Sequence, residues 1–442
     1  METTLVAGDT AWVLASAALV LLMVPGLALF YGGMVRSKSV LNTLLMSMAA
    51  WAIVGVQWVL IGYSLAFYGD GTWIGGFGFI GLNGVGSGPG GPVETIPHIV
   101  FAMFQGMFAV ITVALISGAV VERMSFKAYL LFAVLWTTIV YDPLAHWVWG
   151  EGGWLLELGA LDFAGGTVVH ISAGVSALVA AMVVGPRRDH GRVPLMPHNV
   201  PLTLLGAGML WFGWFGFNAG SALAADEIAA VAFATTFAAP AAALLCWMLL
   251  DIARTGRSTA IGAATGLVVG LVAITPAAGF VTPLSALAIG ALASCASYAA
   301  IQLRHRTRVD DSLDVFACHG VAGIVGALLT GVFASTSVNP GGADGLLYGN
   351  PGLVGIQAIG VVATMVFASV LTLGILKLVA VVTPLRVPMS VELAGIDMTE
   401  HGESAHHFDE LGVGQGHRPN LGDGVFVTSG RAEPAVAATA AR

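Results

Sequence analysis

Apolar runs of about 20 residues recur along nearly the whole chain, separated by short polar or Gly/Pro-containing breaks. A helix needs roughly 20 apolar residues to cross ~30 Å of hydrocarbon. Hydropathy and breaker residues place about eleven such runs at 10–34, 44–68, 96–121, 127–147, 163–185, 199–219, 228–250, 259–274, 282–303, 313–334 and 353–383. The pattern predicts an all-α integral membrane protein with a transmembrane domain over 1–383. From residue 384 the chain turns polar and loses helical period, so 384–442 reads as a tail, disordered towards its low-complexity end. The first run has no basic residue ahead of it and is followed by Arg36 and Lys38. It reads as a retained helix, with cleavage as a signal the alternative.

Composition supports the membrane assignment. Hydrophobic residues make up 57% and charged residues 10% of the 442, and the mean hydropathy is +0.87. A soluble chain of this length needs far more charge at its surface. The 17 basic residues then test the helix count. Arg36 and Lys38 follow run one, Arg123 and Lys127 run three, and Arg187, Arg188 and Arg192 run five. Arg254 and Arg257 follow run seven, and Arg304, Arg306 and Arg308 run nine. Lys377 and Arg386 lie at the end of run eleven, and Arg418, Arg431 and Arg442 in the tail. No basic residue follows an even-numbered run. Positive residues stay cytoplasmic, so a multi-pass protein with its N-terminus outside and C-terminus inside is expected.

Net charge is −8 with no basic patch, which argues against nucleic acid as a partner. The outer loops are read as carrying only acids: Asp70, Glu94, Asp142, Glu151, Glu157, Asp226, Glu227 and Asp344. These either favour cations at the entrance or are what positive-inside sorting leaves behind. The three cysteines, Cys246, Cys295 and Cys318, fall inside runs, which argues against a disulfide framework or a zinc cluster. Gly262, Gly266 and Gly270 keep the small-residue spacing that lets helices approach closely in lipid.

Two histidines inside apolar runs carry the candidate chemistry. His170 follows Asp162 by eight residues and precedes Gly174 by four; His319 stands in the same frame between Asp311 and Gly323. Ionisable groups inside a membrane usually mark a pathway for ions or protons. Run five enters from outside and run ten from inside, and eight helical residues span about 12 Å. Both histidines therefore fall near the midplane. Equivalent helices running in opposite directions indicate an inverted repeat, runs one to five against six to ten, with the eleventh extra. Transporters built this way bind substrate at the repeat interface. The competing reading is two unrelated buried histidines bonded to backbone carbonyls.

A buried imidazole pair shares at most one proton. Neutral, each ring offers one donor and one acceptor, which suits proton exchange with ammonium or holding a neutral amine. Zinc needs three or four protein ligands, and none stands evidently beside both rings. Cys318 neighbours His319, but adjacent helical residues point ~100° apart, so it is expected to face elsewhere. No metal site, cofactor motif, nucleophile or carboxylate pair emerges, so no enzyme is expected.

Several motifs in order resemble the ammonium transporters of the Amt/Mep/Rh family, the Amt branch in particular. They are Phe104-Gln-Gly-Met-Phe108, Ala145-His-Trp-Val-Trp149-Gly, Asp162-Phe-Ala-Gly-Gly-Thr-Val-Val-His170, Gly213-Trp-Phe-Gly-Phe-Asn-Ala-Gly-Ser221 and Arg308-Val-Asp-Asp-Ser-Leu-Asp-Val-Phe-Ala-Cys-His319-Gly. The resemblance runs from about Gly8 to Gly402. It implies an eleven-helix homotrimer in the cell membrane, with one pore per subunit. Phe104, Phe108, Trp149 and Ser221 match the external ammonium site, supported by Asp162, which on sequence grounds also caps run five. Phe108 and Phe217 match a pore gate, and His170 and His319 the pore histidines. The implied mechanism recruits ammonium, deprotonates it, and passes ammonia and the proton separately. A passive ammonia channel is the alternative.

The segment Gly395-Ile-Asp-Met-Thr-Glu-His-Gly402 is similar to the family's regulatory tail. That similarity implies a trimeric PII-type partner at the cytoplasmic face. The chain continues beyond Gly402 with His406, His407 and His417 added to His401, a group open to metal binding or simply solvated. An ammonium sensor acting through this tail is a further alternative.

Overall fold

In the computed structural model, which describes residues 5–406, the apolar runs become helices in series. These are α1 (Ala7–Met34), α2 (Ser37–Phe67), α3 (His98–Ser117), α4 (Phe126–Glu157), α5 (Gly166–Val184), α6 (Val200–Ala222), α7 (Glu227–Thr255), α8 (Ala260–Ile274), α9 (Pro283–Arg304), α10 (Phe316–Phe333) and α11 (Gly352–Val382). Among the described residues ten of these are long and apolar enough to cross a membrane, and α8 is shorter at 15 residues. A short hairpin, β1 (Pro89–Gly90) and β2 (Val93–Pro97), joins α2 to α3. His407 and His417 of the histidine-rich tail, and its low-complexity end, lie outside the described residues.

Asp142, expected in an outer loop, lies instead inside α4 and is fully buried. Gln57 of α2 donates to its Oδ2 at 2.7 Å across 85 residues of sequence. Hydropathy keeps the carboxylate within run four, 127–147, and only its remote partner shows why it can stay there. In lipid such a cross-helix hydrogen bond replaces the water a carboxylate would otherwise need.

Helices α5 and α10 open in the same way. Each begins with a widened turn, Gly166–Ile171 in α5 and Phe316–Val321 in α10, in which hydrogen bonds reach five residues back. Each is capped by the aspartate of its histidine frame. Asp162 Oδ1 accepts from the Gly165 and Gly166 N–H at 2.7 and 2.6 Å, and Oδ2 from the Thr167 N–H at 2.7 Å and the Thr167 hydroxyl. Asp311 Oδ2 accepts from the Phe316 N–H at 2.7 Å. In both cases the carboxylate reaches the N–H five residues on, satisfying donors a helix start leaves unpaired.

The halves meet through small residues. Along α1 and α6, a Cβ added at Gly206 would stand 2.6 Å from the Gly26 carbonyl oxygen and against the Phe30 backbone. At the α5–α10 crossing, a Cβ on Gly174 would strike the Gly320 backbone, and one on Gly323 would lie 3.3 Å from the His170 Cβ. The glycine of each histidine frame thus admits the other frame's widened turn. This reciprocity makes the repeat a packing unit as well as a sequence echo.

Arg36, Lys38, Arg123, Arg187, Arg188 and Arg386 gather at one end of the bundle, where a buried ion network ties the helix ends. Glu122 pairs with Arg36 at 2.8 Å and Arg187 at 2.6 Å, while Arg187 also pairs with Asp310 at 2.9 Å. Burial pushes the Asp310 carboxyl up, but the hydrogen bonds and charge of Arg187 outweigh it and hold it at about 2. Arg123 donates to the carbonyls of Ala119, Gly185 and Asp310. Beyond α11 the chain turns back onto this face through α12 (Met389–Ala394). Asp397 accepts from the Leu41 and Asn42 N–H at 3.0 and 2.8 Å, capping α2.

Candidate transport path

Three cavities follow one another through the bundle: the first meets the second at the Phe108–Phe217 contact, and the second and third share Phe30, Val268 and His319 as walls. The first, about 220 Å³, is lined in part by Gln105, Phe108, Trp149, Phe163 and Ser221. Beneath it the Phe108 and Phe217 rings stand 4.2 Å apart at 31° and close the way. The second is narrow, about 10 Å³; it lies past Phe217 and is lined by His170, His319 and Trp214 among apolar side chains. The third, about 180 Å³, shares His319 and includes Met34, Asp314 and Cys318.

The wall of the first cavity is held from behind. Trp149 Nε1 donates to the Asp162 carbonyl at 3.0 Å, which fixes the indole edge-on to Phe108 at 6.1 Å between ring centres. Asp162 therefore acts twice: its carboxylate caps α5 and its carbonyl orients Trp149. The Ser221 hydroxyl donates to the Phe217 carbonyl at 2.8 Å, so the oxygen keeps its lone pairs for an incoming donor. Phe104 is fully buried and does not reach the cavity wall; it packs edge-on behind Phe108 with ring centres 5.0 Å apart. Gln105, the polar member of the Phe104–Phe108 motif, lines the cavity and has a buried Oε1 with no hydrogen-bond partner. It stands three residues before Phe108, the spacing that puts two side chains on one helix face.

The two histidines come together as their frames implied. Their Nδ1 atoms are 3.3 Å apart and the rings stack at 23°, with only 1% of His170 and 4% of His319 exposed. A hydrogen bond between two Nδ1 atoms requires one to carry the proton and the other to accept. The two neutral rings must therefore be opposite tautomers. The His170 ring also stacks on Trp214 at 5.4 Å, and Trp214 Nε1 is fixed by the Thr275 hydroxyl at 3.0 Å. His170 Nε2 is buried without a partner.

Cys318 does not face away from His319: both line the third cavity. The widened turn advances less per residue than the ~100° of an ordinary α-helix, which brings neighbours onto one wall. Near the basic end, burial and then the Asp314 charge push the Asp311 carboxyl up to about 6. Among the described residues no three His, Cys, Asp or Glu side chains converge as a metal-ligand set.

A polytopic helical membrane protein with an inverted repeat and an enclosed path at the repeat interface belongs, by fold and site, to the membrane transporters and channels. A family model described as the Ammonium Transporter Family matches residues 11–406. An ammonium transporter of Bacillus subtilis is 51% identical over 90% of this chain and 98% of its own length. Mep2 of Saccharomyces cerevisiae superposes with a TM-score of 0.81 at 39% identity, covering 87% of this chain and 88% of that one. A Sensor Amt Protein superposes at 0.83 with 31% identity, covering 89% and 98%. The chain belongs to the ammonium transporter family.

Proposed function

We propose that this protein carries ammonium across the cell membrane, N-terminus outside, by recruiting NH4+ in the first cavity and passing ammonia and a proton separately beyond it. The observation that carries the reading is the closed Phe108–Phe217 pair between an aromatic, hydroxyl-bearing cavity and a stacked histidine pair. Aromatic faces attract a cation by about 0.5–2 kcal/mol. The Ser221 oxygen and the unpaired Gln105 Oε1 supply acceptors for its N–H groups. Water competes poorly, because it carries no charge for the rings to attract.

Directly below the rings, the walls of the second cavity are apolar apart from the imidazoles and the Trp214 indole. Moving a bare cation there costs tens of kcal/mol in the Born limit, so NH4+ gives up its proton above the gate. Neutral ammonia passes when the two phenyl rings swing apart. The opposite tautomers of His170 and His319 offer the proton a relay, since protonating one ring's free nitrogen releases the shared proton towards the other. The family's homotrimer and a PII-type partner at the basic, cytoplasmic face complete the reading. The ordered tail segment on that face supports the partner by offering it a folded surface. The relatives' transport names support a role other than catalysis.

A solid-supported membrane bearing proteoliposomes, given an ammonium jump, tests the mechanism. A saturable inward positive current is expected, lost or stripped of ammonium selectivity in His170→Ala and His319→Ala. Internal alkalinisation faster than in empty liposomes without any current would establish passive ammonia conduction and end the relay.

A further inference from the structure

The third cavity places two sulfur donors that ammonium transport leaves unused beside a histidine that it uses. Met34, at the end of α1, lines it together with Cys318 and His319 of the α10 turn. Cys318 is 7% exposed and His319 4%, so both are enclosed by protein and open to this space. His319 Nδ1 is committed to His170, and its Nε2 has no protein partner among the described residues. A thiol, a thioether and an imidazole around one cavity match the ligand preference of soft univalent ions such as Cu+ and Ag+, not that of Mg2+ or Ca2+. Charge points the same way. A univalent ion on a thiolate is neutral overall, whereas a divalent ion there leaves a buried positive charge, which is costly.

We propose that this cavity binds one soft univalent metal ion, Cu+ or Ag+, between Cys318 Sγ and His319 Nε2 with the Met34 thioether as third donor, and that the bound ion closes the path. On binding, the Cys318 S–H bond breaks, an S–metal bond forms, and the proton leaves to solvent through the cavity mouth; no electron is transferred. The blocking half of the proposal rests on the cavity being the inner mouth of the transport path. The binding half does not.

Cys246 of α7 and Cys295 of α9 lie 3.5 Å apart and would compete for the ion. The test therefore uses full-length Cys246→Ser/Cys295→Ser protein, in which Cys318 is the one remaining cysteine. Silver nitrate is titrated in chloride-free buffer, reading bound Ag+ by elemental mass spectrometry, maleimide labelling of Cys318, and the ammonium current. One Ag+ per chain, protection of Cys318 from maleimide, and a current abolished by Ag+ and restored by a thiol chelator are expected. Adding Cys318→Ala should abolish binding and leave an ammonium current insensitive to Ag+, and Met34→Leu should weaken binding about tenfold for loss of one soft donor. Absence of bound Ag+, or equal binding with and without Cys318, overturns the site. Bound Ag+ with an undiminished current overturns the block. Protection of Cys318 in a protein that carries no ammonium current supports the metal site and removes the transport reading instead.

Discussion

Gln105 and Ser221 divide the recruitment of the cation between them by the state of their lone pairs. Ser221 spends its proton on the Phe217 carbonyl, and Gln105 Oε1 has no internal donor. Gln105→Leu removes one acceptor to a charged group, worth about 1.5–3 kcal/mol. The ammonium concentration for half-maximal current should rise about tenfold or more, with the maximal current less affected. An unchanged half-saturating concentration would exclude Gln105 from the site. Phe104 behaves differently because it touches Phe108 rather than the cavity. Phe104→Leu should loosen the gate ring and impair selectivity against larger cations more than it weakens ammonium affinity, which currents with potassium in place of ammonium would report. The sequence marks aromatics at this helix face, but which one meets the cavity depends on how α3 is rotated against its neighbours.

At the scale of elements, the crossing of α5 and α10 leaves little room for a side chain. Gly174 would drive a Cβ into the Gly320 backbone, while a Cβ on Gly323 meets the Ile171 Cγ1 at 3.0 Å and the Gly166 carbonyl at 3.2 Å, contacts a side chain can partly relieve. Overpacking costs about 1–3 kcal/mol. Gly174→Ala should therefore lower the melting temperature in detergent and the current more than Gly323→Ala does; the reverse order would contradict the packing described. The tail makes a weaker joint. Asp397→Ala removes the cap on α2 at a cost of about 1 kcal/mol and should expose residues 384–401 to protease without unfolding the bundle. This segment was read as polar and aperiodic, yet α12 forms within it. Its order comes from the Asp397 carboxylate on the α2 backbone and from the Lys38 ammonium on the Glu392 and Leu393 carbonyls, partners that no local pattern can display.

Over the whole molecule, the basic end is bound by charge and the path by apolar packing. Asp310→Asn leaves Arg187 without that carboxylate in a buried network. Breaking such a pair typically costs ~3–5 kcal/mol, to be read as loss of thermal stability. The wild-type protein has a matching acid limit. Asp310 is held at about 2 against an unfolded value near ~3.9, so its folded carboxylate binds protons less readily than the unfolded one. That contribution is complete above the unfolded value and disappears as pH falls through about 4 to 2. Asp310→Asn should flatten this part of the stability profile.

The sequence by itself determined the membrane as solvent, the succession of apolar runs, the alternation of basic loops and the two histidine frames. Each of these is written in local hydropathy or in spacing along the chain, and the bilayer imposes them on any fold the chain adopts. The tertiary structure alone decided that Gln57 answers Asp142, that Phe104 stands behind the gate while Gln105 faces the cavity, and that Cys318 shares a wall with His319. Those outcomes depend on how each helix is rotated and widened against partners tens to hundreds of residues away, and helical periodicity fixes which residues share a face but not what that face meets.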